Sequence, residues 1–224
     1  MNVAAATSTA LTIDIVSDVV CPWCYIGKRH VESAVKQWQD ANPNAEVTVR
    51  WHPFQLNPDL PLAGTDRKGY LEAKFGGPQR AAEIYARVGA AGRNAGLDLN
   101  FDGIKKQPNT LAAHALIAYA QSADEGRHAD AVVERLFKAY FVDGRFIGDI
   151  ETLVSIAADC GLDADATRAV LSERATLDQI ANQDASVRQQ GVTGVPFLVF
   201  NNKVALSGAQ PPEVMLDAMQ KAVG

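Results

Sequence analysis

The sequence predicts an α/β fold in which the two ends of the chain share one sheet and a large helical insertion separates them. Three observations predict it. A run rich in β-branched residues near the N-terminus is followed by a helical pattern and a second such run. Residues 59–185 show no strand alternation. Two short apolar runs and a final helical pattern then close the chain.

The N-terminal part predicts a β-α-β unit. Residues 11–16 alternate in the manner of a strand, and residues 22–40 place their apolar side chains at helical spacing. Residues 47–51 predict a second strand, and the helical crossover implies that the two strands are parallel. Prolines 53, 58 and 61 predict an irregular segment after it.

The insertion is predicted to be helical throughout. Its clearest helix has one broad apolar stripe that includes Leu136, Phe137 and Tyr140, and Gly144 follows as a stop signal. The helices are predicted over residues 68–75, 78–94, 110–121, 127–142, 150–160, 163–172 and 176–190.

The C-terminal part returns to strands. Residues 196–200 and 203–206 are short runs separated by Asn201-Asn202, which predicts a two-residue hairpin turn. Pro211-Pro212 suits the first turn of a final helix. This order is that of an α/β, thioredoxin-like fold with a large all-helical insertion.

The domain boundaries follow from that order of elements. The core is predicted to combine residues 11–58 with residues 186–224, and the helical insertion domain to span residues 59–185.

Composition excludes several function classes. The net charge of the 224 residues is -5 and no block of lysine or arginine occurs, which argues against a nucleic-acid partner. No apolar stretch approaches the roughly 20 residues that span a bilayer, so no membrane association is expected. The first twelve residues lack the features of a secretory signal, so a cytoplasmic location is expected.

The most informative motif is Cys21-Pro22-Trp23-Cys24, between the first strand and the first helix. Disulfide exchange needs a thiolate, and the N-terminus of a helix favours an anion. Pro22 fits the first helical position, and the spacing places Cys24 one turn along. We therefore predict Cys21 as the attacking thiol and Cys24 as the resolving thiol.

Two other interpretations of the cysteine pair stay open. A zinc site would need further ligands, but Cys160 is the only remaining cysteine and the four histidines show no metal-ligand spacing, so no metal is expected. Alternatively, both thiols are buried and inert.

Val195-Pro196 heads the apolar run of the first C-terminal strand. A cis proline there would expose the backbone of Val195 to a substrate chain, which could pair with it as a short added strand. The alternative is a trans proline at the start of an edge strand.

Four other polar residues have both a functional and a structural interpretation. Asp14 or Asp18 could accept the proton of Cys24, while Asp18 could equally cap the turn. His114 could face the dithiol cleft or be an ordinary helix histidine. Cys160 lies on an apolar helix face, where a free cysteine is often simply buried.

The run from Ile13 to Gly27 resembles the DsbA-like thioredoxin-fold oxidoreductases of the FrnE type. Supporting segments occur at residues 51–58, 109–114, 191–197 and 207–210, so the resemblance covers the chain from about residue 11 to its end. It implies a protein disulfide oxidoreductase in which Cys21 and Cys24 are the redox pair and Pro196 is the cis proline beside it.

We also assign substrate contacts to Val195, Pro22, Trp23, Asn109 and His114. Relatives of the resembling family include kappa-class glutathione transferases and 2-hydroxychromene-2-carboxylate isomerases, which carry serine at the first cysteine position and bind glutathione. No tightly bound cofactor is expected, and glutathione is a possible redox partner or co-substrate.

The leading functional hypothesis is exchange of the Cys21–Cys24 dithiol with protein or small-molecule disulfides through a mixed disulfide on Cys21. A second hypothesis is a glutathione-dependent isomerase or transferase that acts on a small aromatic or polyketide-like metabolite. A third is a binding module without catalysis, which would not need either cysteine.

Overall fold

The structure, a computed structural model, describes residues 10–224. Helices and strands alternate at the two ends of this range, and helices dominate its middle. The strands are β1 (Ala10–Ser17), β2 (Glu46–Pro53), β3 (Thr65–Asp66), β4 (Lys106–Gln107), β5 (Phe197–Phe200) and β6 (Val204–Ser207). The helices are α1 (Pro22–Ala41), α2 (Arg67–Phe75), α3 (Pro78–Asn94), α4 (Leu111–Ser122), α5 (Ala129–Phe141), α6 (Ile150–Asp159), α7 (Ala164–Ser172), α8 (Arg174–Gln189) and α9 (Pro212–Val223).

Four strands from the two ends of the chain form one mixed sheet in the order β2-β1-β5-β6. β1 and β2 are parallel, with Ile15 opposite Trp51. β5 is antiparallel to both β1 and β6, and Leu198 lies opposite Ile15. The thioredoxin-like fold predicted from the order of elements is thereby confirmed, and β1 lies in the centre of the sheet.

One face of the sheet is buried against α9, and α1 packs against α9. Ile13 and Ile15 of β1 and Phe200 of β5 are almost fully buried there, and Met215 and Met219 of α9 join them. The residues of β1 that alternate with these point to the opposite face. The strand pattern in the sequence thus decides which side chains of β1 can reach the core beneath α1.

The hairpin between β5 and β6 turns at Asn201 and Asn202, as the sequence predicts. Both residues have positive φ angles, 48° and 53°, which a two-residue type I′ turn requires and asparagine tolerates. The N–H of Lys203 donates to the carbonyl oxygen of Phe200 at 2.9 Å and closes the turn.

The insertion is helical except for a two-residue ladder between β3 and β4. Two residues are too few to show the alternation that marks a strand in sequence, so the pattern did not predict this ladder. The ladder fixes the start of α2, because β3 leads directly into this helix at the buried residue Arg67.

Aromatic stacking joins α1 to the insertion. The ring of Tyr25, one residue beyond the dithiol, stacks on Phe137 of α5 with 4.9 Å between centroids. Lys28 of α1 also pairs with Asp130 and Glu134 of α5, at 3.1 and 3.3 Å. Helix α1, which begins at the dithiol, therefore packs against the insertion as well as against α9.

A side-chain amide joins α4 to the edge of the sheet. The N–H of Trp51 donates to Gln121 Oε1 at 2.7 Å, and Gln121 Nε2 donates to the carbonyl of Trp51 at 3.0 Å. The side-chain amide of Gln121 thus makes the two hydrogen bonds to the Trp51 backbone that a neighbouring strand would otherwise make. His114 lies two helical turns earlier on α4, and this anchor holds it near the end of β1.

The predicted division at residues 58/59 and 185/186 stays a prediction, and α8 spans the second boundary. Within residues 10–224, the helices are all too short or too polar to cross a membrane.

Candidate active site

Cys21 lies at the N-cap of α1. Its backbone is extended (φ -94°, ψ 112°), and its N–H donates to the carbonyl of Asp18 at 3.0 Å, which turns the chain from β1 into the helix. Pro22 is the first helical residue, as predicted. The Sγ atom of Cys21 therefore lies at the positive end of the helix, where a thiolate is favoured.

The Val195–Pro196 peptide bond is cis, and the carbonyl oxygen of Val195 lies 3.7 Å from Cys21 Sγ. Pro196 itself is held from two sides. Its carbonyl accepts from the N–H of Gly208 at 2.8 Å, and its ring lies so close to α1 that a Cβ atom on Gly27 would be 3.1 Å from Pro196 Cγ. Gly27 therefore permits the close approach of the proline to the helix.

Cys24 lies one turn into α1 and is 1% exposed. The structure holds both cysteines as free thiols. Burial raises the pKa of Cys24 well above its usual value, and the hydrogen bond and charge of Cys21 raise it further. The Ser17 side chain and the backbone of Asp18 act on the pKa in the opposite direction. Cys24 is thus a protonated thiol that must lose its proton before it can react.

A buried acid–base pair lies on the Cys24 side of the site. Asp18 is fully buried, and its Oδ2 accepts from the N–H of Leu56 at 2.7 Å. His114 Nε2 lies 3.5 Å from Asp18 Oδ1, slightly beyond an ordinary hydrogen bond, and makes no shorter hydrogen bond within residues 10–224. His114 therefore lies close to Asp18, and a contact between His114 and substrate stays a prediction.

A large cavity reaches the end of β1 that precedes the dithiol. The cavity has a volume of about 1430 Å³ and lies between α4, α8 and the outer face of the sheet. Ser17 and His114 both line it. Ser17 Oγ and His114 Nε2 are themselves buried, so the cavity approaches the Asp18 side of the site without exposing these atoms to solvent.

Asp14 does not join this group. Its Oδ1 is 2.8 Å from His52 Nε2, and both side chains line the same cavity as Ser17 and His114. Strand alternation explains the difference, because Asp14 belongs to β1 while Asp18 belongs to the turn that follows it.

Asn109 has a structural environment. Its Nδ2 donates to the carbonyls of Pro58 and Leu60, and its Oδ1 accepts from Gln55 and from the N–H of Leu111. These bonds fix the proline-rich segment after β2. A contact between Asn109 and substrate stays a prediction.

Cys160 lies just beyond the end of α6 and is partly buried. Burial raises its pKa and the charge of Asp159 adds to that effect, so the unreactive thiol form is favoured.

A pocket of about 210 Å³ opens beside Cys21. Pro22 and Trp23 line it on the α1 side, as their predicted contact with substrate requires, and Trp23 is 42% exposed. The helices α2 and α3 supply most of the remaining walls, and Leu56, Asn57 and Gln107 also line the pocket. Those walls are mainly apolar or aromatic and include Leu71, Phe75, Ile84, Tyr85 and Val88.

Sequence reasoning missed the residues of α2 and α3. Tyr70, Lys74 and Tyr85 line the pocket, yet they lie about fifty residues or more from the dithiol in sequence, without a motif of their own. Only the fold brings them to Cys21. Within residues 10–224, the side chains of histidine, cysteine, aspartate and glutamate form no group of three that could hold a metal ion.

Comparisons with known proteins agree with this geometry. The model of the DSBA-like thioredoxin domain matches residues 12–220. The chain is 31% identical to a probable DsbA oxidoreductase from Streptomyces coelicolor, with a TM-score of 0.82, over 95% of this chain and 89% of that one.

Two more distant relatives cover nearly the same length. The uncharacterised protein YwbO of Bacillus subtilis is 26% identical over 213 residues, 94% of each chain. The cytosolic disulfide reductase DsbM from Pseudomonas aeruginosa, in its structure with GSH, is 19% identical with a TM-score of 0.62 over 95% of each chain, which shows a shared fold.

The family model spans nearly the whole chain, and its match includes both the dithiol and the cis proline. The chain therefore belongs to the DsbA-like thioredoxin family of thiol–disulfide oxidoreductases.

Proposed function

We propose that this protein is a thiol–disulfide oxidoreductase of the FrnE type that exchanges its Cys21–Cys24 pair with protein or small-molecule disulfides. The observation that carries the proposal is the position of Cys21 at the N-cap of α1, with its sulfur 3.7 Å from the carbonyl of Val195. A nucleophilic thiol, a helix N-terminus and an open backbone segment for a substrate chain meet at this point.

The first chemical step occurs on Cys21. Its thiolate attacks one sulfur of a substrate disulfide, the substrate S–S bond breaks, and one thiolate leaves. A mixed disulfide now joins Cys21 to the other half of the substrate. The leaving thiolate takes a proton from solvent through the pocket that Pro22 and Trp23 line.

The second step occurs on Cys24. Its thiol gives up a proton, and we assign the buried carboxylate of Asp18 as the acceptor, because the backbone of Asp18 and the side chain of Ser17 both act on the pKa of Cys24. The Cys24 thiolate attacks the sulfur of Cys21 and expels the second substrate thiolate. The protein has then lost two electrons, and the substrate disulfide has gained two.

The reverse sequence oxidises a substrate dithiol, and the reduction potentials of the two couples decide the direction. We propose protein or small-molecule thiols and disulfides as the partners, with glutathione as a possible redox partner. Support comes from the fold shared with DsbM, a cytosolic reductase whose structure contains GSH. A cytoplasmic location for this chain is part of the same proposal.

The test compares Cys21→Ser with Cys160→Ser in an insulin-reduction assay and in single-turnover reaction with a small disulfide. Cys21→Ser should reduce both activities to the uncatalysed level, whereas Cys160→Ser should retain them, because Cys160 lies beyond α6 with a thiol-favouring environment. Full activity in the Cys21→Ser variant would refute the proposal.

One observation favours a second candidate, a glutathione-dependent isomerase or transferase for a small aromatic or polyketide-like metabolite. The pocket beside Cys21 has the apolar walls that such a metabolite would need. This candidate predicts saturable glutathione binding. Calorimetry with reduced glutathione, carried to millimolar concentration, would count against it by showing no heat of binding.

A further inference from the structure

Arg67, at the start of α2, is a buried cation without a carboxylate partner. It is 3% exposed, and within residues 10–224 the carboxylates all lie more than 4 Å from its nitrogens. Its partners are neutral: Nη1 donates to Gln107 Oε1 at 2.6 Å and to the Tyr140 hydroxyl at 2.7 Å, and Nη2 donates to the Tyr85 hydroxyl at 3.0 Å. Since an unpaired buried charge is costly, its position calls for a reason beyond packing.

The two tyrosine hydroxyls that Arg67 holds differ in one respect. The hydroxyl of Tyr140 donates its own hydrogen to Gln107 Oε1 at 3.0 Å, so its bonding is complete. The hydroxyl of Tyr85 accepts from Arg67 and makes no donor bond to any residue from 10 to 224. A tyrosine O–H both accepts and donates, so Tyr85 has one hydrogen available for a partner outside the protein.

The Tyr85 side chain that carries this hydrogen lines the pocket beside Cys21. Tyr85 and Gln107 both line the pocket, and the guanidinium of Arg67 lies directly behind them. The charge of Cys21 is among the groups that raise the pKa of Tyr85, although burial is the main cause and Arg67 opposes it. The Tyr85 hydroxyl therefore keeps its hydrogen at neutral pH and lies within electrostatic reach of the reactive sulfur.

The charge around the pocket favours an anion. The charged side chain that lines it is that of Lys74, and aspartate and glutamate are absent from the lining formed by the described residues. With Arg67 behind the wall and Lys74 at its edge, a carboxylate would find two cations and one free O–H donor.

The volume of the pocket favours a ring. An apolar cavity of roughly 150 Å³ holds benzene, and this pocket offers about 210 Å³ between apolar side chains. The pocket thus has room for one substituted aromatic ring beside the sulfur of Cys21.

We infer that the pocket binds the aromatic substituent of a small disulfide or thiol substrate, and that Tyr85, oriented by Arg67, donates a hydrogen bond to a carboxylate on that substituent. This inference rests on the proposed exchange at Cys21 and names a substrate class for it. Tyr85 is then a binding residue, and Arg67 is a positioning residue that acts through it.

The test uses two chromogenic disulfides. Dithiobis(nitrobenzoate) carries a carboxylate and a nitro group on each ring, and the matching nitrophenyl disulfide lacks only the carboxylates. The reduced protein is mixed with each in a single turnover, and the released aryl thiolate is followed by absorbance. Each dithiol gives two electrons to one disulfide, so no other reductant is needed. Comparison of the two rates within each variant removes differences in intrinsic thiol reactivity.

Tyr85→Phe should lower the second-order rate constant for the carboxylated disulfide about tenfold, which is the lower range for a hydrogen bond to a charged group. The rate constant for the nitrophenyl disulfide should change less than twofold, because the ring still fills the pocket.

Tyr140→Phe is the matched control. It removes a hydroxyl that bonds the same guanidinium but does not line the pocket, so it should leave the preference for the carboxylated disulfide intact. Equal losses on both disulfides in Tyr85→Phe, or none on either, would overturn the inference. A preference that disappears in Lys74→Ala but persists in Tyr85→Phe would also overturn it, since the carboxylate would then bind at the rim.

The two proposals can fail separately. If the wild-type protein reacts with neither disulfide, or if Cys21→Ser reacts as fast as the wild type, the proposed exchange at Cys21 is wrong. Suppose instead that Cys21 reacts with both disulfides, and that Tyr85→Phe leaves the ratio of the two rate constants as it is in the wild type. Then only the carboxylate site is wrong.

Discussion

The two cysteines of the dithiol lie three residues apart and have opposite surroundings. Cys21 lies at the helix N-terminus, beside an open pocket and the carbonyl of Val195. Cys24 lies inside the protein, where burial raises its pKa well above the usual value. Both are thiols of one helix turn, so the difference between them comes from what surrounds each sulfur.

This difference separates the substrate side of the site from its proton side. On the Cys21 side, the helix N-terminus favours a thiolate and the insertion supplies the walls that select a substrate. On the Cys24 side, the Ser17 side chain and the backbone of Asp18 lower the Cys24 pKa, His114 lies 3.5 Å from Asp18, and a separate cavity is lined by Ser17 and His114. The insertion contributes to both sides, through α2 and α3 on one and through α4 on the other.

The largest expected effect comes from removal of the buried base. Asp18→Asn should slow the second step, the attack of Cys24 on the mixed disulfide, about a hundredfold, because a positioned base is worth roughly that much. The formation of the mixed disulfide on Cys21 should be nearly unchanged. Quenched-flow mass spectrometry, which separates the mixed disulfide from the oxidised protein, measures both rates in one experiment.

Asn is the suitable replacement because its oxygen can still accept from the N–H of Leu56, which Asp18 binds at 2.7 Å. Asp14→Asn is the matched control, since Asp14 lies within β1, four residues before Asp18, and pairs with His52. If both steps keep their rates in Asp18→Asn, the division into a substrate side and a proton side loses its chemical basis.

A second prediction concerns stability at alkaline pH. Because burial keeps Cys24 protonated in the fold, the unfolded chain loses this proton first, from about pH 8.5 upward. Above that pH the unfolded state is favoured, and the free energy of unfolding of the reduced protein should fall by about 1.4 kcal/mol per pH unit until Cys24 also ionises in the fold. Below about pH 8.5, the contribution of Cys24 to the free energy of unfolding does not change with pH, because the thiol is protonated in both states.

Urea unfolding of the reduced wild type and of Cys24→Ala, between about pH 7 and pH 10, isolates this contribution. The difference between the two proteins removes the effect of all other titrating groups. We expect the difference to be level below about pH 8.5 and to change in favour of the variant above it. A difference that stays level throughout would mean that Cys24 ionises in the fold as readily as in the unfolded chain.

The sequence predicts the Cys21 side only in part. Cys21, Pro22 and Pro196 have local signals, because a helix start and an apolar strand flank them in the chain. The strands also carry local signals, from alternation in β1 to the Asn201-Asn202 turn. The aromatic walls of the pocket have none, since they depend on how α2 and α3 pack over the start of α1.

The Cys24 side shows the same limit at shorter range. Asp14 and Asp18 are both close to the dithiol in sequence, and the pattern alone could not choose between them. The choice depends on where β1 ends: Asp14 obeys strand alternation and faces away, whereas Asp18 follows the last strand residue and turns inward. The sequence allows His114 to face the dithiol cleft, but the anchoring of α4 to β2 through Gln121 puts it beside Asp18.

The smallest expected effect tests how closely the Cys21 side depends on the position of Pro196. A Cβ atom on Gly27 would lie 3.1 Å from Pro196 Cγ, so Gly27→Ala should displace the proline by a few tenths of an ångström. Since small misplacements near a reacting centre cost rate, the mixed disulfide should form about threefold more slowly, while the rate of the Cys24 step stays the same.

Gly89→Ala is the control for the helical effect of the same substitution. Gly89 lies in α3, where a new Cβ would meet only ordinary contacts at 3.6 and 3.8 Å. Both substitutions replace a helical glycine, which favours the folded state by about 0.5–1 kcal/mol, but only Gly27→Ala forces a displacement beside Cys21. A slower first step together with an unchanged Cys24 step would show that backbone placement governs Cys21 alone. An equal slowing of both steps would show that the position of Pro196 and the packing of α1 affect both thiols. The substrate side and the proton side of the site would then not be structurally independent.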